Sequence, residues 1–206
     1  MAYRVVCISA TDGAAGEEIA PLLAERLGFP LINEQVIARA AKEADVDLHV
    51  VADVERRKSF ISRLLEQMPA SGMSAVAGFA PPMPDPGPAD DALRGLIRSA
   101  IEEIAARGDV VIMAHAASHA LASRRDTLRV FITASPEVRA GRFGAAQGVE
   151  GKDAEKAVAR GDTNRADYLK RFYRVSSELP THYDVVVNTD RITAEEAAEL
   201  IARAAG

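Results

Sequence analysis

The sequence predicts an α/β protein whose mainly parallel sheet of about five strands carries helices on both faces. Short apolar runs at residues 3–10, 110–113, 128–133 and 184–187 lack the alternation of a half-exposed strand. Such runs are typical of strands that are covered on both sides. Segments with helical spacing of apolar residues separate them, and 206 residues are enough for one domain of this kind.

The first strand, the turn after it and the next helix form the clearest unit. Apolar residues recur at helical spacing over 16–27, and Gly28 and Pro30 supply the stop signal. Ligands of open parallel sheets bind beyond the carboxyl ends of the strands, where helix amide groups point at an anion. The loop at 9–16 is therefore the expected phosphate site.

The remaining segments continue the alternation as one domain over residues 1–206. They are a short strand at 29–32, a helix begun at 33–34, a helix that ends at Gly108, a lid-like helical region at 136–175 and a terminal helix at 197–204. Residues 45–92 differ, because a charged helical piece leads into a proline-rich run that can neither continue a helix nor join a sheet. We expect an inserted acceptor-side region there, with 69–90 the least ordered part of the chain.

Composition excludes several classes of function. A net charge of -5 gives no general attraction to nucleic acid or to anionic lipid. Cys7 is the one cysteine, in an apolar run, so we expect a buried small side chain and no disulfide within the chain. No secretory signal and no run of about 20 apolar residues is present. We expect a cytoplasmic protein without nucleic-acid or membrane partners, and homo-oligomerisation is left open.

The phosphate loop lacks side chains that normally hold a triphosphate. A standard loop has glycines, a lysine for the β- and γ-phosphates and a hydroxyl for magnesium. This chain has Gly13, Ala14, Ala15, Gly16, Glu17 and Glu18, with Gly16 in the lysine's place. Acidic residues in a first helical turn gain about 0.3–1 kcal/mol from the helix dipole. A carboxylate about 5 Å from a phosphate costs about 3 kcal/mol, so we expect weak triphosphate binding, with an ordinary tight turn as the alternative.

This loop resembles the first motif of the cytidylate-kinase-like family. The similar residues are Ile8-Ser9, Gly13, Gly16 and Glu18-Ile19-Ala20. The family itself lacks the usual lysine, and its members typically have a basic residue in place of Glu17 and a glycine in place of Ala15. The departure from a standard loop therefore goes beyond the family's own.

The second half of the chain carries further similarities to this family. They lie at residues 110–116, at 129–139 with Arg142, at 162–173 and at 183–189. The first of these segments resembles a strand ending in Gly-Arg-Gly, with His115 in the place of the arginine. His115 can donate a hydrogen bond to an anion or act as an acid or base near neutral pH, although a structural role is the alternative.

The resemblance implies a P-loop kinase fold and an ATP- and magnesium-dependent transfer of phosphate to a nucleoside monophosphate such as CMP. The phosphate loop would bind the triphosphate, while His115 and Arg165 would contact the acceptor. Arg139, Arg142 and Arg165 would clamp phosphate charge. Asp162 would orient Arg165, three residues along the same helix, although a surface ion pair is the alternative. The rival functions are a non-catalytic nucleotide-sensing or interaction protein and a kinase for another small acceptor.

Overall fold

Residues 2–33, 88–113 and 116–206 are described in a computed structural model of the chain, with residues 88–97 described by their backbone alone. Three expectations lie outside these residues. They are the helix begun at 33–34, the inserted region up to residue 87 with most of its proline-rich run, and the placement of His115.

The described strands form one parallel sheet. They are β1 (Val5–Ala10), β2 (Leu31–Asn33), β3 (Val110–Met113), β4 (Thr127–Thr133) and β5 (Val185–Asn188). Their order is β2-β3-β1-β4-β5, and each neighbouring pair is parallel. In the register, Val5 of β1 lies opposite Val110 and Thr127. The predicted parallel sheet of five strands is confirmed, and β1 lies at its centre.

Helices lie between the strands along the chain. They are α1 (Gly16–Leu27), α2 (Pro88–Arg107), α3 (Ala117–Ala120), α4 (Pro136–Gln147), α5 (Lys152–Tyr173) and α6 (Ala194–Ala205). A single 3-10 turn at Pro180–His182 precedes β5. The predicted lid-like region contains two helices, because Gly148 adopts a left-handed conformation (φ 67°) and caps α4. Among the described helices, none combines the length and the apolar character needed to cross a lipid bilayer.

The main core lies on one face of the sheet, against α1 and α6. Val6 and Ile8 of β1 and Val130 of β4 pack there with Leu23 of α1 and Ile201 of α6. Because β1 and the following helix α1 both pack their apolar side chains into this core, the start of α1 is fixed relative to the end of β1. The loop between them is held in place by this packing.

The other face of β1 carries smaller and more polar residues. Cys7 is fully buried there, and burial raises the pKa of its thiol to about 12, so the group stays neutral at physiological pH. Ser9 follows on the same face, and its hydroxyl lies 3.0 Å from that of Ser118 in α3. The buried cysteine expected from the sequence is confirmed, and a polar face leads toward the carboxyl end of the sheet.

Candidate functional site

The loop between β1 and α1 makes a tight approach to α4. Its Gly13 has φ 76°, and a Cβ built there would lie 2.3 Å from the carbonyl oxygen of Arg139. Only glycine fits such a backbone contact in a left-handed conformation. Ala15 is also left-handed, with φ 64°, at the cap before α1. The family resemblance gives a glycine at that position, so an alanine here adds backbone strain to the loop.

Packing at Gly16 also opposes a lysine. A Cβ at this position would lie 2.4 Å from Cβ of Ala10 and 3.3 Å from Cε of Met113. The next two residues, Glu17 and Glu18, are exposed in the first turn of α1. The loop therefore offers the N-terminus of a helix to an anion but has no cation or hydroxyl in the first turn. Within the described residues, no group of three or more His, Cys, Asp or Glu is placed to hold a metal ion.

Arg139 ties the loop to both helices of the lid-like region. Its side chain is 6% exposed, and its Nε donates to the carbonyl oxygen of Asp12 at 2.8 Å. The guanidinium also makes a bidentate pair with Asp162 of α5, at 3.1 Å and 2.6 Å. Arg139 is thus buried where a lid arginine was expected, and its donors are directed at groups of the protein.

Arg142 is held one turn further along α4. Its two terminal nitrogens donate to the hydroxyl oxygen of Thr189 at 2.9 Å and to the carbonyl oxygen of Thr189 at 2.7 Å. Thr189 follows β5 and is buried, and its hydroxyl oxygen lies 3.1 Å from the carbonyl oxygen of Ala14. Arg142 therefore links the loop after β5 to the phosphate loop.

Arg165 forms the most enclosed ion pair of the site. Its Nε and Nη2 donate to the two carboxylate oxygens of Glu178, each at 2.7 Å. The hydroxyl of Tyr183 also donates to Glu178. Nε2 of His119 lies 3.3 Å from that hydroxyl and 3.9 Å from Oε1 of the carboxylate. One carboxylate thus joins a guanidinium, a phenol and an imidazole.

Burial and pairing shift the ionisation of this cluster. Burial alone would raise the pKa of Glu178, but the two hydrogen bonds from Arg165, together with the nearby imidazole of His119, outweigh it and hold that pKa well below its usual range. Burial, together with the hydrogen bond to Glu178, raises the pKa of Tyr183 to about 12. At neutral pH the cluster therefore contains an ionised carboxylate, a neutral phenol and a charged guanidinium.

The structure corrects the expected partner of Arg165. Asp162 and Arg165 share a face of α5, yet Asp162 accepts from Arg139 and Arg165 donates to Glu178. The reason is that α4 brings Arg139 to Asp162, and the segment after α5 brings Glu178 to Arg165. Glu178 and His119 were missed because their contacts come from the fold and not from local spacing.

A cavity of about 220 Å³ lies between these pairs. Its polar lining includes Thr11, Arg139, Asp162, Arg165, Ser177 and Glu178. Phe131 of β4 and Leu169 of α5 add apolar wall. The hydroxyl oxygen of Thr11 is buried and has no hydrogen-bond partner among the described residues. The cavity thus brings three predicted site residues next to the phosphate loop, whereas Arg142 is engaged elsewhere.

Comparisons with known proteins agree with this architecture. The model of the family described as "Cytidylate kinase-like family" matches residues 5–191. No curated protein matches the chain. Among solved structures, an uncharacterized protein from Eubacterium ventriosum is similar with a TM-score of 0.65 at 17% identity, covering 98% of this chain and 97% of that one.

Two shikimate kinases are similar in fold. The enzyme from Bacteroides thetaiotaomicron gives a TM-score of 0.55 at 15% identity, covering 98% of each chain. The enzyme from Acinetobacter baumannii, in complex with shikimate, gives a TM-score of 0.53 at 11% identity, covering 98% of this chain and 92% of that one. At these identities the likeness shows the fold alone, which is that of the P-loop kinases.

Proposed function

Because the chain belongs to the cytidylate-kinase-like family, we propose that it is a slow ATP-dependent phosphotransferase acting on a small acceptor, with CMP the first acceptor to test. The observation that carries this proposal is the cavity beside the phosphate loop. Thr11 from the loop, Arg139 from α4 and Arg165 from α5 all line it. A site of this kind needs cations from the lid side next to a loop that approaches phosphate, and both are present.

The chain's residues would divide the work as follows. The loop from Gly13 to Glu18 would approach the triphosphate with backbone groups, and Arg139, already bonded to the loop at Asp12, would hold its shape. Arg165 would face the acceptor across the cavity. ATP with magnesium would supply the phosphoryl group. The loop can bind phosphate through its backbone amides. It cannot neutralise the phosphate charge or hold magnesium, since no lysine or hydroxyl stands in the first turn of α1.

Slow turnover follows from this mismatch. Glu17 and Glu18 place negative charge at the start of α1, where a phosphate would otherwise benefit from the helix dipole. The close approach of Ala10 to Gly16 leaves no room for a lysine. The loop would therefore bind Mg-ATP weakly and stabilise little of the charge on the transferred group.

A second candidate is a non-catalytic nucleotide-sensing or interaction protein of the same fold. The observation that favours it is the pairing of Arg139, Arg142 and Arg165 with groups of the protein itself. Arginines held in this way can shape a binding cavity without neutralising a transferred phosphoryl group.

Titration calorimetry with Mg-ATP and with CMP, followed by an assay for CDP, tests the proposal. We expect weak Mg-ATP binding and slow product formation that Arg165→Gln lowers by at least about tenfold, equivalent to about 1.4 kcal/mol. Arg160→Gln, at an exposed position of the same helix, is the matched control and should leave the rate unchanged. Binding of both nucleotides with no product supports the second candidate. Absence of both binding and transfer, with CMP and with other small acceptors, contradicts the proposal.

A further inference from the structure

We infer that the cavity beside α5 accepts a small uncharged, hydroxyl-bearing molecule in preference to its phosphorylated counterpart, and that Glu178 sets this preference. The inference rests on the proposed function in one respect, since it takes this cavity as the acceptor side of the site. It concerns binding and does not depend on transfer. Molecules of this class are nucleosides and monosaccharides.

The charges that line the cavity are balanced. Arg139 is paired with Asp162 through two contacts of 3.1 Å and 2.6 Å, and Arg165 is paired with Glu178 through two contacts of 2.7 Å. Two guanidinium groups and two carboxylates give a net charge of zero. A phosphate dianion entering the cavity would therefore find no uncompensated positive charge among these four groups.

Glu178 occupies one of the two bidentate edges of Arg165. Arginine recognises phosphate and carboxylate through the same planar pairs of N–H groups, and the Nε and Nη2 edge is taken by this carboxylate. The carboxylate is only 15% exposed, and Tyr183 and His119 hold it from the other side. A phosphate would either displace this carboxylate or bind Arg165 through Nη1 beside it, and in both cases a buried, ionised carboxylate would lie close to the new dianion.

The remaining hydrogen-bonding groups suit hydroxyls. Asp162 is 44% exposed, so its carboxylate can accept from a ligand hydroxyl while it stays paired with Arg139. Thr11 lines the cavity, and its buried hydroxyl lacks a partner among the described residues, so a rotation of this side chain would let it donate to a ligand oxygen. Phe131 and Val175 line the cavity, are only partly buried, and offer apolar surface to the carbon face of a ring. A volume of about 220 Å³ is below the range of about 300–1,000 Å³ for larger ligands, which favours a small molecule.

Two pairs of probes that differ only by phosphate test this inference, namely cytidine with CMP and ribose with ribose 5-phosphate. Each is titrated into the full chain without ATP, at constant ionic strength. We expect at least one uncharged member to bind saturably and its phosphorylated counterpart to bind at least about tenfold more weakly. In Glu178→Gln, which leaves Arg165 without its counter-charge, the phosphorylated member should gain at least about tenfold while the uncharged one changes little.

The double variant Arg165→Gln with Glu178→Gln separates charge from loosened packing. It removes one positive and one negative charge, so the cavity stays neutral and the gain for the phosphorylated probe should disappear. If the gain persists in the double variant, loosening of the cavity explains it and charge selection by Glu178 is overturned. Thermal denaturation confirms that each variant is folded before it is titrated.

Three further results would overturn the inference. They are equal or tighter binding of the phosphorylated member by the natural protein, no binding of any probe to it, and no change of preference in the folded Glu178→Gln variant. These outcomes are distinguishable from failure of the proposed function. Absent phosphotransfer leaves the binding preference intact, whereas rapid phosphorylation of tightly bound CMP supports the proposed function and contradicts the inference.

Discussion

The phosphate loop and the cavity beside α5 differ in how far each meets the needs of the proposed kinase function. In the loop, the residues themselves are absent, since Gly16 stands in the place of a lysine and two glutamates follow it. In the cavity, arginines are present, but Asp162 and Glu178 are paired with them and balance their charge. The absence of a lysine can be read from the sequence. Whether an arginine is neutralised by a carboxylate depends on which residues the fold brings together.

The largest expected effect is in the loop, at Gly13. An alanine there would meet the carbonyl oxygen of Arg139 at 2.3 Å and would have to adopt φ 76°. The steric contact and the left-handed backbone each destabilise the variant. We expect Gly13→Ala to lower the free energy of unfolding by about 3 kcal/mol or more. Chemical denaturation measures this change.

Gly28→Ala is the matched control for the glycine at 13. Gly28 is also left-handed, with φ 67°, but a Cβ there meets nothing within 4 Å. Gly28→Ala should therefore lower the free energy of unfolding only by the cost of placing an alanine in the left-handed region, about 1 kcal/mol. Equal losses in the two variants would mean that the approach of α4 to the loop contributes nothing.

On the cavity side, Arg139→Gln should lower the free energy of unfolding by about 1.5–3 kcal/mol, because it breaks the bidentate pair of a buried guanidinium with Asp162 and a contact to the loop. Arg124→Gln is the control. Its pair with Asp126 is more exposed and should contribute about 0–1 kcal/mol. Urea denaturation at neutral pH compares the two. A loss at Arg139 no larger than that at Arg124 would show that Arg139 is free to act as a clamp.

The ionisation of Glu178 predicts a dependence on pH. Because its pKa is lower in the folded protein than its ordinary value of 4.5, its contribution to stability is present above that pH and is lost as pH falls below it. The stability difference between the natural protein and Glu178→Gln should therefore shrink below about pH 4.5, by at most about 1.4 kcal/mol per pH unit. Denaturation curves at several pH values measure it. A difference that stays constant down to the acid transition would contradict the strong pairing with Arg165.

The smallest effect is expected at Ala15, which adopts φ 64° without being a glycine. Ala15→Gly should raise the free energy of unfolding by about 1 kcal/mol, since glycine enters the left-handed region without steric cost. Ala24→Gly, inside α1, should lower it by about 0.5–1 kcal/mol. Thermal unfolding of both variants tests this. Destabilisation by both substitutions would show that Ala15 is not strained.

Much of the fold could be predicted because its signals are local. The helix at 16–27 and the strand at 110–113 have the predicted bounds, since apolar spacing and glycine stop signals mark them directly. The short helix α3 was not predicted, because four residues carry too little periodicity. The spacing of apolar residues predicted only the α/β class, whereas the similarity to a kinase family predicted the P-loop kinase fold.

The site was only partly predictable, because its pairs depend on long-range contacts. At Arg174, α5 ends in a left-handed residue, and the amide of Val175 turns back to donate to the carbonyl oxygen of Leu169. This reversal brings Glu178 back to Arg165, thirteen residues earlier in the chain. The close approach of Ala10 to Gly16 also could not be predicted from the spacing of residues in the sequence, because it depends on how the loop folds back between β1 and α1.

Titration of Mg-ATP into the natural protein and into the folded variant Ala10→Gly with Gly16→Lys and Glu17→Ser tests most directly whether the loop is the impaired half of the site. The variant makes room for the lysine, restores a hydroxyl and removes one repulsive contact of about 3 kcal/mol, which alone corresponds to about a hundredfold in affinity. We predict weak binding by the natural protein and binding at least about tenfold tighter by the variant. Tight, micromolar binding by the natural protein, or no gain in the folded variant, would contradict the account.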